Sequence, residues 1–330
     1  MRLIDVLMAA GGLALLLGGG ELLLRGAVAL ATRLGLSQLL IGLTVVAAAT
    51  SMPELVVVLT SSLEGVPDLG VGNVVGSNIA NILLILGCAA VIWPIATRPH
   101  HILRDGAAVL VATALFIAFG FAGEIGRVHG IIMLAGLAVY LAYSYVSDRR
   151  LEARARSEPD ADATATAAES ETPSQPPSGI ARALGLVALG VLALVLGSQW
   201  LVDGAIAFAR ALGISEAVIG LTMVAIGTSL PELATAVVAG LRRHPEIALG
   251  NVLGSNLFNL LAILAVMAVV TPFRVSAELL GFHLWVMAGA SLILLPVMFT
   301  GWRIGRREGV AFLMAYAVYI AMLYEPATGF

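Results

Sequence analysis

The chain has 330 residues, 59% of them hydrophobic and only 12% charged, with a mean hydropathy of +0.98; that much apolar side chain excludes a soluble globular protein and reads as a polytopic membrane protein. All 18 basic residues are Arg and none is Lys. This excludes a phosphate-binding P-loop and the aspartyl-phosphate loop of a P-type pump, both of which need Lys, so no ATP is expected to act within this chain. The net charge of −3 gives no reason to expect a nucleic-acid partner.

Taken in order, apolar runs long enough to cross a ~30 Å hydrocarbon core as helices fall near residues 3–24, 37–62, 68–94, 106–123, 130–146, 183–208, 214–240, 247–272, 279–300 and 309–324. The first could be mistaken for a cleaved leader. However, GAVALATRLGLS from Gly26 matches GAIAFARALGIS from Gly204 at an offset of 178, so the first span is expected to be retained. Glu21 and Arg25 are four residues apart and should pair on one helix face. Cys88, alone in an apolar run, reads as a packing residue that no intrachain disulfide can use, and His283, inside a span, is expected to pack against a carbonyl.

The offset of 178 organises the whole chain. Residues 42–87 (GLTVVAAATSMPELVVVLTSSLEGVPDLGVGNVVGSNIANILLILG) and 220–265 (GLTMVAIGTSLPELATAVVAGLRRHPEIALGNVLGSNLFNLLAILA) are copies in unbroken register. Passing from one copy to the other advances five spans, an odd number, so the second copy enters the membrane with opposite polarity. The expected architecture is all-α: ten transmembrane helices as two inverted five-helix repeats. The first repeat is 1–147, the second is 179–330, and between them 148–178, rich in Ala, Ser, Thr, Pro and acidic residues, reads as a flexible linker. With the N-terminus outside, thirteen arginines, Arg104 among them, fall on the inner side and four on the outer. The positive-inside rule therefore gives N-out, C-out, with a cytoplasmic linker, in the cell's inner membrane.

Helical spacing puts Ala47, Thr50, Ser51 and Glu54 on one face, and likewise Ala225, Thr228, Ser229 and Glu232. Pro53 and Pro231 should break their helices and free carbonyls near Ala49 and Gly227, which is tolerated at membrane depth where the freed groups line a cavity or meet a ligand. Asn73, Ser77 and Asn81 recur every four residues, as do Asn251, Ser255 and Asn259. Gly72 with Gly76, and Gly250 with Gly254, are small-xxx-small pairs that let helices approach closely. The donors on these faces are all oxygen, which suits a hard cation such as Ca²⁺ and not zinc or copper. An intramembrane hydrolase using Ser77 or Ser255 would need a base, and no HExxH or GxSxG stretch supplies one, so no enzyme is expected.

TSMPE with GNVVGSNIAN, and GTSLPE with GNVLGSNLFN, resemble the two α-repeats of the cation/calcium exchangers, and the prokaryotic sodium/calcium exchangers in particular. The resemblance covers essentially the whole chain. It implies an antiporter exchanging Na⁺ for Ca²⁺ without a cofactor, with Glu54 and Glu232 as the central carboxylates shared by both ions. Thr50, Ser51, Thr228, Ser229, Ser77, Ser255, the carbonyls of Ala47 and Ala225, and the amides Asn81 and Asn259 would complete the overlapping sites, while the first and sixth spans slide to alternate access. Two departures stand out: Ala49 replaces a common Gly, and Asn259 stands where some prokaryotic and potassium-dependent members carry Asp. The TSxPE form also differs from the GNxxE pattern of proton/calcium exchangers, which favours sodium coupling over the proton-coupled alternative.

Overall fold

A computed structural model describes residues 3–97, 102–157, 179–211 and 227–324. Among these, seven helices are long and apolar enough to cross a membrane, and a bent helix pair makes an eighth such span. The chain is a multi-pass, helical membrane protein. The expected span at 214–240 is described only from Gly227 onward, and the last expected span is α14 below, 19 residues long.

Helix α1 (Leu3–Leu34) has 32 residues, roughly 48 Å at 1.5 Å per residue and well beyond the thickness of the hydrocarbon core. It ends where Gly35 turns left-handed at φ 60° and the Leu36 N–H reaches back to the Ala31 carbonyl at 2.9 Å, a Schellman stop. Its twin α9 (Ile180–Ala211), also 32 residues, lies against it along much of its length. Glycines on a seven-residue spacing make that approach possible: Gly12, Gly19 and Gly26 face α9, and Gly190, Gly197 and Gly204 face α1. A Cβ at Gly190 would come within 2.6 Å of the Leu23 nitrogen, and one at Gly197 within 2.8 Å of the Leu16 nitrogen. The two backbones therefore touch directly, as small residues allow in membranes.

After α1 comes a broken span. Ser37 caps α2 (Gln38–Ile41) through its hydroxyl, which accepts from the Leu40 N–H at 3.1 Å. A π-helical turn (Gly42–Val46) and α3 (Ala47–Thr50) follow. At Ser51 (φ −82°, ψ 8°) the axis bends by 43° into α4 (Met52–Leu63), in whose first turn Pro53 sits. The expected proline break is thus present. Then come α5 (Pro67–Ala80), a π-turn (Asn81–Ile85), α6 (Leu86–Ile92) and β1 (Ile95–Ala96). A further π-turn (Ile102–Gly106), α7 (Ala107–Ala122), β2 (Glu124–Ile125) and α8 (Arg127–Ser157) complete the first half.

The second half repeats this order: α10 (Leu230–Leu241), α11 (Pro245–Phe258), a π-turn (Asn259–Ile263), α12 (Leu264–Val270), β3 (Phe273–Arg274), a π-turn (Leu279–His283), α13 (Leu284–Phe299), β4 (Arg303–Ile304) and α14 (Arg306–Tyr324). The halves interlock rather than sit side by side. β1 pairs antiparallel with β4, and β2 with β3, so each short ribbon takes one strand from each half with the roles exchanged. The spans containing α5 and α11 are 72% and 78% buried, against 28% for α1 and 22% for α9. The motif helices are therefore the centre and the long glycine-paired helices lie outside them.

Three expectations change in detail. Gly250 and Gly254 do pack against the backbone of the first broken span at Leu39 and Leu43, but Gly72 and Gly76 meet nothing within 4 Å among the described residues. The repeat counterparts of Leu39 and Leu43, residues 217 and 221, lie outside those residues. Arg104 is not a loop arginine: it is buried, and its Nη2 donates to Asp105 Oδ2 at 3.0 Å while the Tyr140 hydroxyl donates to Asp105 Oδ1 at 2.9 Å. Finally, His283 Nδ1 lies 3.1 Å from the Tyr319 hydroxyl instead of against a carbonyl.

Candidate functional site

The bend at Ser51 and its counterpart at Ser229 (φ −88°, ψ 2°) aim the two TSxPE clusters into the core between α5 and α11. A proline near each helix start leaves no N–H to continue the preceding ladder, so the polar residues around it turn inward together. Thr50, Ser51, Glu54, Ser77 and Asn81 are all buried, as are Thr228, Ser229, Glu232, Ser255 and Asn259. Ala47 is buried on the same face, and its carbonyl accepts from the Ser51 N–H at 3.0 Å and the Thr50 hydroxyl at 3.4 Å. Ala225 lies outside the described residues. Of the carbonyls expected to be freed, that of Gly227 accepts from the Ser198 hydroxyl of α9.

The contacts cross between the halves. The Thr50 hydroxyl donates to Asn251 Oδ1 at 3.1 Å, and its twin Thr228 donates to Asn73 Oδ1 at 3.2 Å. Asn81 Nδ2 donates to Asn256 Oδ1 at 3.0 Å, and its twin Asn259 donates to Asn78 Oδ1 at 3.1 Å. The Ser51 hydroxyl donates to Glu232 Oε1 at 3.2 Å, while that of Ser229 lies 3.2 Å from Ser77 Oγ. Thr228 and Ser229 lie near Glu54, and Thr50, Ser51 and Ser255 near Glu232. The two carboxylates are close enough to repel one another. Each half thus supplies one carboxylate, and hydroxyls of the other half lie beside it.

Such an arrangement is costly without a positive charge. Glu54 Oε2 and Glu232 Oε2 have no hydrogen-bond partner among the described residues, and neither do Asn81 Oδ1, Asn259 Oδ1 or Ser255 Oγ. Buried unpaired oxygens cost on the order of 1–3 kcal/mol each, more when charged. Glu54 with Glu232 and Asn81 with Asn259 form twin pairs in one cluster, and a hard cation satisfies several such oxygens at once; the Nδ2 groups of the twins Asn73 and Asn251 also have no partner among the described residues, and these a cation does not satisfy. Sequence reasoning passed over Asn78 and Asn256, although GSN stands in both copies, and over the π-turns that begin at Asn81 and Asn259. A π-turn leaves hydropathy unchanged, so apolar periodicity does not report it.

The family model described as sodium/calcium exchanger protein matches residues 4–146 and 182–325, nearly the whole chain and both clusters. The chain belongs to the sodium/calcium exchanger protein family. Among this exchanger's relatives, the sodium/calcium exchanger MaX1 of Methanosarcina acetivorans is 36% identical, with 98% of this chain and 99% of the relative covered. The putative antiporter CaxA of Alkalimonas amylolytica is also 36% identical, over 98% and 99% of the two chains. Of solved structures, the sodium-calcium exchanger NCX_Mj soaked with 2.5 mM Na⁺ and 0.1 mM Ca²⁺ superposes with a TM-score of 0.81 at 30% identity, covering 98% of this chain and 99% of that one.

Proposed function

We propose that this exchanger-family chain is a secondary antiporter that moves Na⁺ against Ca²⁺ across the cell's inner membrane by alternating access to a midplane site. The carrying observation is the pair of buried carboxylates, Glu54 and Glu232, one from each half, each with an unpartnered oxygen and with hydroxyls of the other half beside it. Their two negative charges are neutralised by one Ca²⁺ or by two Na⁺. Overlapping sites then cannot hold both ions at full occupancy, and exchange follows from mutual exclusion. Both ions are substrates here, and no cofactor or catalytic step is required.

In this reading Thr50, Ser51, Ser77, Asn81, Thr228, Ser229, Ser255 and Asn259, with the carbonyls of Ala47 and Ala225, complete the overlapping ion sites. An ion at the Ala47 carbonyl takes the place of the Thr50 hydroxyl, which now lies 3.4 Å away. The repeats 1–147 and 179–330 are inverted five-helix halves joined by a cytoplasmic segment at 148–178, which begins as the end of α8, to Ser157, giving ten spans, N-out and C-out. The crossed contacts support this, because twin residues exchanging roles across one interface are what a twofold relation between halves produces. The outlying pair α1 and α9, in contact with each other backbone to backbone, is the element suited to move past the core.

The deciding experiment is ⁴⁵Ca²⁺ uptake into proteoliposomes of the purified chain, with a sodium gradient at fixed pH or a proton gradient without sodium. Uptake that follows the sodium gradient is expected. Uptake that ignores sodium and follows protons would replace the sodium assignment with proton coupling.

A further inference from the structure

A cation is bound by the oxygen of an amide and repelled by its NH₂ end, so an asparagine serves as a ligand only if something holds the NH₂ end away from the ion. Asn81 and Asn259 meet that condition in the same way. Each donates its Nδ2 across the interface, to Asn256 Oδ1 at 3.0 Å and Asn78 Oδ1 at 3.1 Å respectively, and each keeps its own Oδ1 buried and unpartnered among the described residues. The π-turn that begins at Asn81 packs against α10, the helix of Glu232, and the one that begins at Asn259 packs against α4, the helix of Glu54.

What sets this orientation lies one residue further away. Asn256 Nδ2 donates to the main-chain carbonyl of Asn78 at 3.4 Å. A carbonyl can only accept, so Asn256 must turn its NH₂ toward it and its oxygen toward Asn81. Asn81 must then answer with NH₂, which leaves its own oxygen toward the ion. On the other side the anchor is softer: Asn78 Nδ2 has Met287 Sδ at 3.8 Å, and a thioether is a weak acceptor.

We infer that Asn256 and Asn78 are positioning residues for ion binding, each deciding which end of the Asn81 or Asn259 amide faces the ion, with Asn256 held the more firmly. The inference rests on Asn81 and Asn259 being ion ligands. Neither Asn256 nor Asn78 needs to touch the ion itself.

The test is a double-variant cycle read as the Ca²⁺ KM of sodium-driven ⁴⁵Ca²⁺ uptake in proteoliposomes of the full chain. Asn81→Ala should raise KM. Asn256→Ala should raise it about three- to tenfold, the scale of one lost orienting hydrogen bond, with uptake at saturating Ca²⁺ near wild type. In the double variant the Asn256 change should add nothing to the KM of Asn81→Ala, because the amide it orients is gone. Shifts that multiply, or an Asn256→Ala protein with wild-type KM beside a shifted Asn81→Ala, overturn the relay while leaving Asn81 a ligand. A wild-type KM in Asn81→Ala overturns the ligand reading and the relay with it. The twin cycle of Asn78→Ala with Asn259→Ala gives the same test if Asn256→Ala does not yield folded protein, and there the orienting shift should be smaller.

Discussion

On the proposed reading, transport depends most directly on Glu54 and Glu232. Replacing either by Gln leaves one negative charge to offset a divalent ion taken out of water, a balance that fails by several kcal/mol. Glu54→Gln and Glu232→Gln should each abolish Ca²⁺ exchange in flux assays. Both should still elute as monodisperse protein with an unchanged or higher Tm, because removing one of two buried like charges relieves repulsion. Wild-type flux from either variant would move the site elsewhere. On the same reading, position 259 sets the ion pairing more subtly. Its amide donates to Asn78 Oδ1, so Asn259→Asp sets an oxygen against an oxygen and adds a titratable group beside the two carboxylates. Uptake by that variant should become steeply pH-dependent and change its sodium dependence, while wild-type uptake between pH 6.5 and 8 stays flat by comparison; equal pH profiles would refute the charge count. These residues were legible in the sequence because two copies named them twice. The expected pairing of Glu21 with Arg25 is present at 2.7 Å, but the second partner of Glu21, Arg242 at 2.8 Å, comes from 221 residues away and no local spacing announces it.

Helices α1 and α9 owe their contact to glycine, and the contact should be sensitive to any side chain placed in it. Gly197→Leu has no room, since even a Cβ there would lie 2.8 Å from the Leu16 nitrogen, whereas Gly18 has nothing within 4 Å among the described residues. The expected outcome is a large loss of Tm and of folded yield for Gly197→Leu and near-wild-type behaviour for Gly18→Leu, measured side by side in detergent. The turn between α1 and α2 is held from α8. Asp148, buried, accepts from the Ser37 N–H at 3.0 Å, and Arg149 donates to the carbonyls of Leu34 and Gly35 at 3.3 and 3.5 Å. These two neighbours satisfy the end of one helix and the start of the next, with the charge signs that the helix dipoles favour. Asp148→Ala should cost about 1 kcal/mol, read as a lowered Tm, and an unchanged Tm would show that water replaces the carboxylate at no cost. The glycine spacing was present in the sequence at 12, 19, 26 and again at 190, 197, 204, yet it reads as a packing surface only once the partner helix is known.

Across the whole molecule, burial of Arg104 leaves twelve inner arginines against four outer ones, so the orientation expected from charge is unchanged. A reporter inserted within 155–178 should be cytoplasmic and one fused at Phe330 should be on the opposite face; both on one side would defeat the ten-span inverted arrangement. The crossed hydrogen bonds add a mechanical consequence. Because Thr50 is held by Asn251 and Thr228 by Asn73, neither half can arrange its hydroxyls without the other, and the site exists only when the halves are docked.

Composition, the 178-residue repeat and the two polar clusters by themselves determined a membrane protein made of two related halves with a carboxylate in each, because in an apolar chain every buried polar residue is costly and stands out. Tertiary structure alone decided which half braces which carboxylate, that α1 and α9 meet on glycine, and that Asn78 and Asn256 face Asn259 and Asn81. Those facts depend on residues 155 to 201 positions apart in the chain, and helical periodicity carries information only over a few turns.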